Sequence, residues 1–582
     1  MAEKLERYLG DPHDERNALS FAQAVALDEV EQYPERACAL LDEWGLPDFY
    51  VPAVCGGRLR SYEELISLLR VVARRDFTVG FAYSILSLLG SAATWVGGTD
   101  CQKQKVAQLL KERKQIILAY NEKAHGGDFM ATGVKAVKVD GGYQLSGEKW
   151  LIGNAVRCAA MTVMARTRDE AGPRSLSLFL VEKNALDPRS FEHLPRIKTH
   201  GVRGAHVSGI KFKESFLKED SLIGAEGTAL EQTLKAFQLT RAVIPALALG
   251  AADTALRCVL DFARTRNLYG SRVVTLPQVR QTLVEAFLDL LIGDCLTTAC
   301  ARAVHQTPEQ MRLYSAVVKY YVPQSLEETI ERLGVVLGAR HYLREEHWHG
   351  IFQKLLRDNV VLRYHFNAAL NLTTIGVHLR DLAQHRAYAA SNADASALQT
   401  RLAAVFDLNH PLADLNPNGL SLYTRGRDDF LNGLELALEQ LRLLAQRTPS
   451  EGVLLQCVIA LVERVLEQRQ AADYEQRDVA LRLGSEYSRS PELFELAERY
   501  CVLEAAACCV HLWLHNRERL SEFFMRGDWL VLSLERLLMH LGQERSNLPA
   551  EHEERVAEEM ERLFEEERLF SVVPLQLAQR NE

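Results

Sequence analysis

Several features that would mark a function class are missing from this sequence. Its 68 lysine and arginine residues are outnumbered by 77 aspartate and glutamate residues, which gives a formal net charge of −9 at pH 7. No basic stripe is present to neutralise phosphates, so we expect no nucleic-acid binding. The chain has 11 cysteines without CxxC pairs or even spacing. This usage argues against a zinc site or a disulfide framework and favours reduced thiols.

A glycine-rich phosphate loop, HExxH and GxSxG are also absent. The sequence therefore lacks the usual signatures of nucleoside-triphosphate enzymes, zinc proteases and serine hydrolases. The opening MAEKLERYLGDPHDER has no basic start followed by an apolar core. The apolar stretch AVIPALALGAA is shorter than the roughly 20 residues that a spanning helix needs. We therefore expect no targeting segment, no membrane span and a cytoplasmic protein.

Changes in hydrophobic period divide the chain into four predicted domains. Helical spacing predicts an N-terminal helical domain over residues 1 to 118. Alternation with a Gly141-Gly142 turn predicts a small antiparallel β domain over 119 to 226. Helical spacing returns over 227 to 392 and, after an Asn-, Pro- and Gly-rich linker, amphipathic helices predict an additional all-helical domain over 393 to 582. The predicted fold is therefore mainly α, with one β domain between helical domains.

Turns in the predicted β domain are candidate parts of a binding site. The segments NEKAHGGD, GEKWLIGNA and HGVRGAHVSGIKF stand at its start, middle and end. Gly126, Gly127 and Gly153 would let backbone N–H groups approach a planar ligand, and Trp150 would supply an aromatic face. Ordinary turns and a packed tryptophan explain the same residues, so both interpretations stay open.

The order and spacing of these segments resemble the acyl-CoA dehydrogenase family. The resemblance covers about residues 18 to 385 and includes LDEWGLPDFYVPAVCGG before the β domain, and LTRAVIPALALGAADTALRCVLDFARTRNLYG and LLRD after it. It implies a helical domain, a small β domain and a four-helix bundle, with FAD between sheet and bundle. It also implies a homodimer or homotetramer. The implied substrate is an acyl thioester of coenzyme A or of an acyl-carrier protein, and the electron acceptor is not identified.

The resemblance also assigns residues. It implies FAD contacts for Asn121, Gly126, Gly127, Trp150, Ile152, Gly153, Asn154, Arg266, Tyr269 and Gly338. Gly127 and Arg241 are implied to contact the substrate. Arginine suits the FAD pyrophosphate at position 266, because its fork binds phosphate oxygens bidentately. Two positions depart from the family: Gly153 replaces a threonine, and VVLGARHY keeps only Gly338 of a glycine pair.

The family's catalytic carboxylate has no acidic counterpart here. The family places it either beside the arginine corresponding to Arg241, where this chain has Thr240, or after RD, where counting ends on His365 or Phe366. Desaturation requires removal of the substrate's α-proton. We therefore predict His365 as the catalytic base, since imidazole accepts a proton near neutral pH. The cluster REEHWHG is interpreted as a solvated loop, and no metal site is predicted.

The sequence thus predicts an FAD-dependent acyl-thioester dehydrogenase that introduces an α,β double bond. Two alternatives stay open. One is a flavin-dependent oxidase or monooxygenase on the same fold, acting on a non-thioester substrate that needs no carboxylate base. The other is a catalytically degenerate scaffold protein. The helices after residue 393 would guard the pocket, bind a carrier domain or extend a dimer contact.

Overall fold

The first region of the computed structural model is helical. The structure describes residues 1–170, 172–345, 347–364, 368–389, 395–546 and 548–580. The helices of the first region are α1 (Ala2–Leu9), α2 (Phe21–Glu29), α3 (Glu35–Trp44), α4 (Tyr62–Arg75), α5 (Phe77–Val79), α6 (Leu86–Gly97) and α7 (Asp100–Lys111). A π-helical segment, Gly80–Ile85, joins α5 to α6. Ser61 caps the N-terminus of α4: its hydroxyl accepts a hydrogen bond from the backbone N–H of Glu64 and so satisfies a free helix-end donor.

A sheet follows the first region. Its strands are β1 (Ile116–Ala119), β2 (Lys135–Val139), β3 (Gly142–Gly153), β4 (Ala160–Arg166), β5 (Leu176–Glu182), β6 (Phe191–Leu194), β7 (Val207–Lys218) and β8 (Leu222–Ile223). The order is β6-β7-β3-β2-β4-β5-β8, and β1 pairs with β4. Gly141, with φ of 74°, makes the tight turn from β2 to β3 that the sequence predicts. Strands β3 and β7 form a long antiparallel pair.

The first strand of the sheet corrects the prediction. The helical spacing of the first domain continues through the letters IILA and predicts a helix there. Instead, Ile116–Ala119 form β1, which runs parallel to β4. Ile116 and Ile117 are fully buried. A short apolar run fits a buried strand as well as a buried helix, so periodicity alone does not separate the two. The sheet is therefore mixed rather than purely antiparallel.

Long helices then form a bundle. The elements are α8 (Ala229–Val243), α9 (Pro245–Thr265), the hairpin strands β9 (Asn267–Leu268) and β10 (Ser271–Arg272), α10 (Pro277–Gln306), α11 (Met311–Leu337), α12 (Ile351–Asn359), α13 (Val361–Tyr364) and α14 (Ala368–Ala389). Helix α11 packs against α8, α9, α10 and α14, and α4 of the first region packs against α9. The bundle therefore shares its core with the first region.

The remaining helices extend this core. They are α15 (Ala395–Phe406), α16 (Asp429–Asn432), α17 (Leu434–Arg447), α18 (Gly452–Leu483), α19 (Pro491–Asn516), α20 (Glu522–Arg526), α21 (Asp528–His540) and α22 (Ala550–Glu565). Helix α19 packs against α10 and α14, and its Cys508 and Cys509 are fully buried. The predicted linker lies along α10, where the guanidinium of Arg302 donates to the carbonyl of Asp407 at 2.8 Å. The domain limit at residue 393 stays a prediction, since one hydrophobic core continues across it.

Two helical stretches are apolar enough and long enough to cross a membrane. They are Phe77–Gly97 and Ala229–Thr265, and 89% and 100% of their most apolar windows are buried inside the protein. These apolar stretches are longer than AVIPALALGAA, on which the expectation of no membrane span was based. Small residues such as Gly, Ser and Thr extend them without adding charge. Core helices that are covered on all sides have this composition.

Candidate active site

The turn NEKAHGGD lies beside the strand that carries Trp150. The backbone N–H of Trp150 donates to the carbonyl of Asn121 at 3.0 Å. The carboxylate of Glu122 accepts from Nζ of Lys149 at 2.7 Å and from the backbone N–H of Gly133 at 2.8 Å. Burial alone would raise the pKa of Glu122, but Lys149 and the backbone donors lower it. Burial lowers the pKa of Lys149 to about 8. This ion pair fixes the turn against β3.

Gly126 and Gly127 form the exposed tip of this turn. Gly126 has a φ of 56°, a conformation that favours glycine. At both positions no heavy atom lies within 4 Å of where a Cβ would stand. The backbone here is open to a ligand, as the sequence analysis expects, and the half-buried Trp150 lies on the neighbouring strand.

Ile152, Gly153 and Asn154 lie deeper. Ile152 is 2% exposed, and a Cβ on Gly153 would meet Cδ1 of Leu86 at 2.9 Å. The family's threonine would therefore require Leu86 to move. The side-chain nitrogen of Asn154 donates to the carbonyl of Ala82 at 2.6 Å and to Oε1 of Gln115 at 2.9 Å. The amide of Asn154 thus ties the sheet to the π-helical segment, a role that the sequence analysis did not foresee.

The other predicted FAD contacts lie at an exposed end of helix α9 and an exposed end of helix α11. Arg266 is exposed where α9 ends, and Tyr269 at the tip of the β9–β10 hairpin is 96% exposed. Gly338 ends α11 with a φ of 60° and open space around its Cα. None of the described contacts joins Arg266, Tyr269 or Gly338 to the Gly126-Gly127 turn of the same chain. Their role in holding a cofactor stays a prediction.

An aromatic wall joins the turn to helix α8. Tyr120, Phe129 and Phe237 pack together, with ring centroids 5.7 Å apart for Tyr120 and Phe129 and 6.0 Å apart for Phe129 and Phe237. Arg241 follows Phe237 by one helical turn, and its guanidinium carbon is 5.6 Å from the centroid of that ring. Arg241 therefore lies against the aromatic wall at Phe237.

Arg241 is 1% exposed and lies near other cations. Burial and then the charge of Arg312 lower the pKa of Arg241 to about 9. Burial and then the charge of Arg241 lower the pKa of Lys319 to about 7. Sequence reasoning missed Arg312 and Lys319, although their seven-residue spacing places both on one face of α11, a face that is otherwise apolar.

The family carries its base at one of two positions, and the structure describes only the first of them, Thr240. Thr240 is 1% exposed, and its hydroxyl donates to the carbonyl of Phe237 at 3.4 Å, so no acid stands there. His365 lies outside the described residues. The preceding Asp358 accepts from Nζ of Lys354 at 2.6 Å and from the backbone N–H of Val202 at 2.6 Å. The LLRD and HGVRG segments are thereby held together.

The second half of the segment REEHWHG, residues 347–350, packs against the protein, which corrects the interpretation as a solvated loop there, whereas Arg344 and Glu345 are exposed as expected. The ring of Trp348 stacks on Phe21 with centroids 5.4 Å apart, and its Nε1 donates to Asp261 at 2.9 Å. His347 contacts the carbonyl of Cys258 through Nε2 at 2.9 Å. Among the described residues, which leave out Glu346, no group of three His, Cys, Asp or Glu side chains is placed to hold a metal.

Comparisons with known proteins match this architecture. Residues 118–215 match the acyl-CoA dehydrogenase middle domain, and residues 228–365 match the acyl-CoA dehydrogenase C-terminal domain. The probable acyl-CoA dehydrogenase fadE25 of Mycobacterium leprae is 25% identical over 318 residues, which cover 54% of this chain and 81% of that protein.

Two solved structures share the fold. Butyryl-CoA dehydrogenase from Megasphaera elsdenii has a TM-score of 0.58 at 19% identity, with 64% of this chain and 97% of that chain covered. An acyl-CoA dehydrogenase from Bacillus anthracis, complexed with FAD, has a TM-score of 0.65 at 15% identity, with 94% and 92% covered. The second likeness includes the additional helices. Residues 118–215 and 228–365 thus carry the middle and C-terminal domains of the acyl-CoA dehydrogenase family.

Proposed function

We propose that this protein is an oxidoreductase acting on CH–CH groups, an FAD-dependent dehydrogenase that introduces an α,β double bond into an acyl thioester. The supporting observation is the open backbone of Gly126 and Gly127, which Glu122 and Lys149 fix beside Trp150. The match to the middle and C-terminal domains of acyl-CoA dehydrogenases supports the reaction class, and the structurally similar protein from Bacillus anthracis is a complex with FAD.

The residues present fit FAD. Gly126 and Gly127 leave open space beside the exposed turn, and the half-buried Trp150 would supply an aromatic face. The N–H of Gly126 donates to the carbonyl of Glu122 at 2.8 Å, so Gly127 is the glycine of the pair whose N–H would meet the cofactor. The exposed Arg266 would bind the pyrophosphate. When bound, FAD supplies a hydride acceptor for the substrate's β-carbon. We propose that the cofactor is shared in a homodimer or a dimer of dimers, and that the protein is cytoplasmic.

The chain's own residues would prepare the substrate. The Glu122–Lys149 ion pair holds the turn in one position, and the wall of Tyr120, Phe129 and Phe237 keeps water from its inner side. The α-proton must pass to a base, because a thioester α-hydrogen is only weakly acidic. We propose His365 for this task, since Thr240 carries no acid.

A second candidate function has its own support. The hydroxyl of Thr240 cannot act as a carboxylate base, and a flavin-dependent oxidase or monooxygenase acting on a non-thioester substrate would not need one. This candidate uses the same fold and the same FAD contacts. It predicts flavin binding without reduction by thioesters.

The test is flavin loading followed by anaerobic reduction. Purified protein is incubated with FAD and desalted, and flavin retention is measured by absorbance near 370 and 450 nm. Retained flavin that is bleached by an acyl-CoA panel supports the dehydrogenase. Retained flavin that no acyl-CoA or acyl-carrier-protein thioester reduces supports the second candidate. A protein that takes up no FAD contradicts both.

A further inference from the structure

Four basic side chains from three helices lie together inside the bundle. Arg241 comes from α8, Arg312 and Lys319 come from α11, and His378 comes from α14. Helices α8 and α14 both pack against α11. Burial lowers the pKa of Arg241, His378 and Lys319, and a neighbouring arginine lowers each further: Arg312 acts on Arg241 and His378, and Arg241 acts on Lys319. We call these residues the unpaired cluster.

The unpaired cluster contains no acid among the described residues. All three side-chain nitrogens of the buried Arg241 lack a hydrogen-bond partner, as do Nη1 of Arg312 and Nε2 of His378. Nζ of Lys319 donates at 2.5 Å to the carbonyl of Leu362, which carries no charge. The acid that acts on His378 is Asp381, which is exposed on the outer side of α14. Within the part of the chain that the structure describes, no carboxylate is therefore hydrogen-bonded to Arg241.

Burial of a cation without a partner is strongly unfavourable. A folding role does not account for this arrangement, because apolar side chains of similar volume would pack there without the penalty. An anion that entered the unpaired cluster would gain strong interactions, since few water molecules compete there. Arginine binds carboxylate oxygens bidentately, and all three nitrogens of Arg241 are free to do so.

The burial of Arg241 narrows the choice of anion. Arg241 is 1% exposed and lies against Phe237, whereas Gly126 and Gly127 are exposed. The bulky phosphate-bearing part of a carrier would therefore stay at the exposed turn. The narrow end of an acyl chain is the part of the substrate that suits a buried arginine.

A segment of the additional helical region packs on α8 close to the cluster. Nε2 of Gln238, one turn from Arg241 on α8, donates to the carbonyl of Ser421 at 2.7 Å. Leu420 and Thr424 are each 3% exposed. Burial lowers the pKa of Arg312 to about 10, and the phenol of Tyr423 opposes this shift. Residues 420 to 424 are thus the part of the additional region that lies near the cluster.

We propose that the substrate is a thioester whose acyl chain ends in a carboxylate, which Arg241 binds with Arg312 and Lys319 beside it. This inference rests on the proposed function. It assigns the substrate class to dicarboxylic acyl thioesters. The additional region would set the chain length through residues 420 to 424.

The first test measures anion binding without any reaction. Thermal unfolding of the flavin-loaded protein is followed with chloride, inorganic phosphate, hexanoate or adipate. We expect carboxylates to raise Tm, and the Arg241→Met variant to lose this rise. That variant should itself have a Tm equal to or above wild type without ligand, because it removes an unpaired buried charge. Arg257→Met is the matched control: Arg257 is equally buried but paired with Asp253, so its loss should lower Tm.

Three results of this first test would overturn the carboxylate site. One is a lower Tm for Arg241→Met without ligand, which would reveal an ordinary structural ion pair. Another is stabilisation by phosphate above that by either carboxylate, which would assign the cluster to a phosphate-bearing ligand. Lys319→Met provides a second variant with the same expected signs. Absence of stabilisation by any carboxylate also overturns the proposal.

The second test measures substrate preference. Anaerobic flavin reduction is compared between hexanoyl-CoA and the CoA monothioester of adipic acid. We expect a preference of about 100-fold in kcat/KM for the carboxylate-ended thioester, because a site built for a polar group rejects an analogue that lacks it. Arg241→Met should abolish that preference. Equal reduction by both thioesters would overturn the inference and leave the proposed function standing. Carboxylate binding without reduction by either thioester would contradict the proposed function but leave the carboxylate site standing.

Discussion

Two groups of buried cations on neighbouring helices have opposite surroundings. The unpaired cluster contains Arg241 without a hydrogen-bond partner. The paired cluster contains Arg74, Arg75 and Arg257 together with Glu6 and Asp253. In it, Arg74 contacts Glu6 at 3.1 Å and Arg257 contacts Asp253 at 3.1 Å. Arg241 and Arg257 are each 1% exposed, so burial is equal and only the partners differ.

The difference separates a charge that serves the fold from one that is available to a ligand. In the paired cluster the protein supplies every major counter-charge, and the segment around Phe570 covers the result. The backbone N–H of Phe570 donates to Asp253 at 3.0 Å, and its ring lies 4.3 Å from the guanidinium carbon of Arg257. Burial alone therefore does not mark a functional arginine, whereas burial without a partner does.

Breaking the paired cluster should give the largest effect. Asp253→Asn keeps the size of the side chain but leaves Arg74 and Arg257 without their shared carboxylate, so we expect a loss of about 3 to 5 kcal/mol in the free energy of unfolding. Chemical denaturation measures this loss. Asp381→Asn, on the exposed side of α14, is the control and should change stability by less than about 0.5 kcal/mol. Equal effects in the two variants would remove the distinction between the clusters.

A second prediction concerns the proposed base His365. The unpaired cluster contains cations but no carboxylate that could remove the α-proton, so the base must lie elsewhere. His365→Gln keeps hydrogen bonding but removes proton acceptance, so flavin binding should survive while flavin reduction by substrate falls roughly 100-fold or more. Stopped-flow absorbance near 450 nm measures the rate. In wild type the rate should rise with pH through the titration of the imidazole. An unchanged rate in the variant would assign proton removal elsewhere.

The unpaired cluster should also show in the pH dependence of stability. The pKa of Lys319 is lowered to about 7 in the folded protein, below its ordinary value of 10.5. Between these values the unfolded chain binds more protons, so stability should increase as pH rises from about 7. We expect a gain of about 1 to 2 kcal/mol between pH 7 and 8.5 that Lys319→Met lacks. Parallel pH profiles for the two proteins would show that Lys319 has a partner.

The smallest expected effect is on FAD affinity and concerns an exposed arginine. Arg266 is exposed, and its predicted partner is the FAD pyrophosphate. Arg266→Ala should weaken FAD binding about 10-fold through loss of a charge-assisted contact, as measured by flavin fluorescence titration. Arg272→Ala, also exposed on the same hairpin, is the control. Equal FAD affinity in Arg266→Ala and wild type would reject the predicted contact.

The fold was largely predictable from hydrophobic period, but parts of the candidate site were not. The alternating strands and the long helices occur where their periods change, whereas β1 was missed because four apolar residues carry no distinguishing period. The turn of Gly126 and Gly127 was found from its glycines. The ion pair of Glu122 with Lys149 was missed, because its members are 27 residues apart and neither is unusual alone.

Arg241 illustrates the limit more sharply. Resemblance to a family identified it as a candidate substrate contact, and nothing in the sequence says whether it has a partner. The absence of a counter-ion depends on the neighbours that α11 and α14 bring to it, including Arg312 and His378. Such a property exists only after long-range packing is known.

The segment around Phe570 has a consequence for synthesis on the ribosome. Its contacts with Asp253 and Arg70 join residues 317 and 500 positions apart. At about 5 to 20 residues per second, on the order of 25 to 100 seconds separate the appearance of Arg70 from that of Phe570. Throughout that time the apolar and charged surfaces that Phe570 will cover stay open in the nascent chain. Covering of the paired cluster by the Phe570 segment is therefore a late step, and transient chaperone binding before it would protect the open surface.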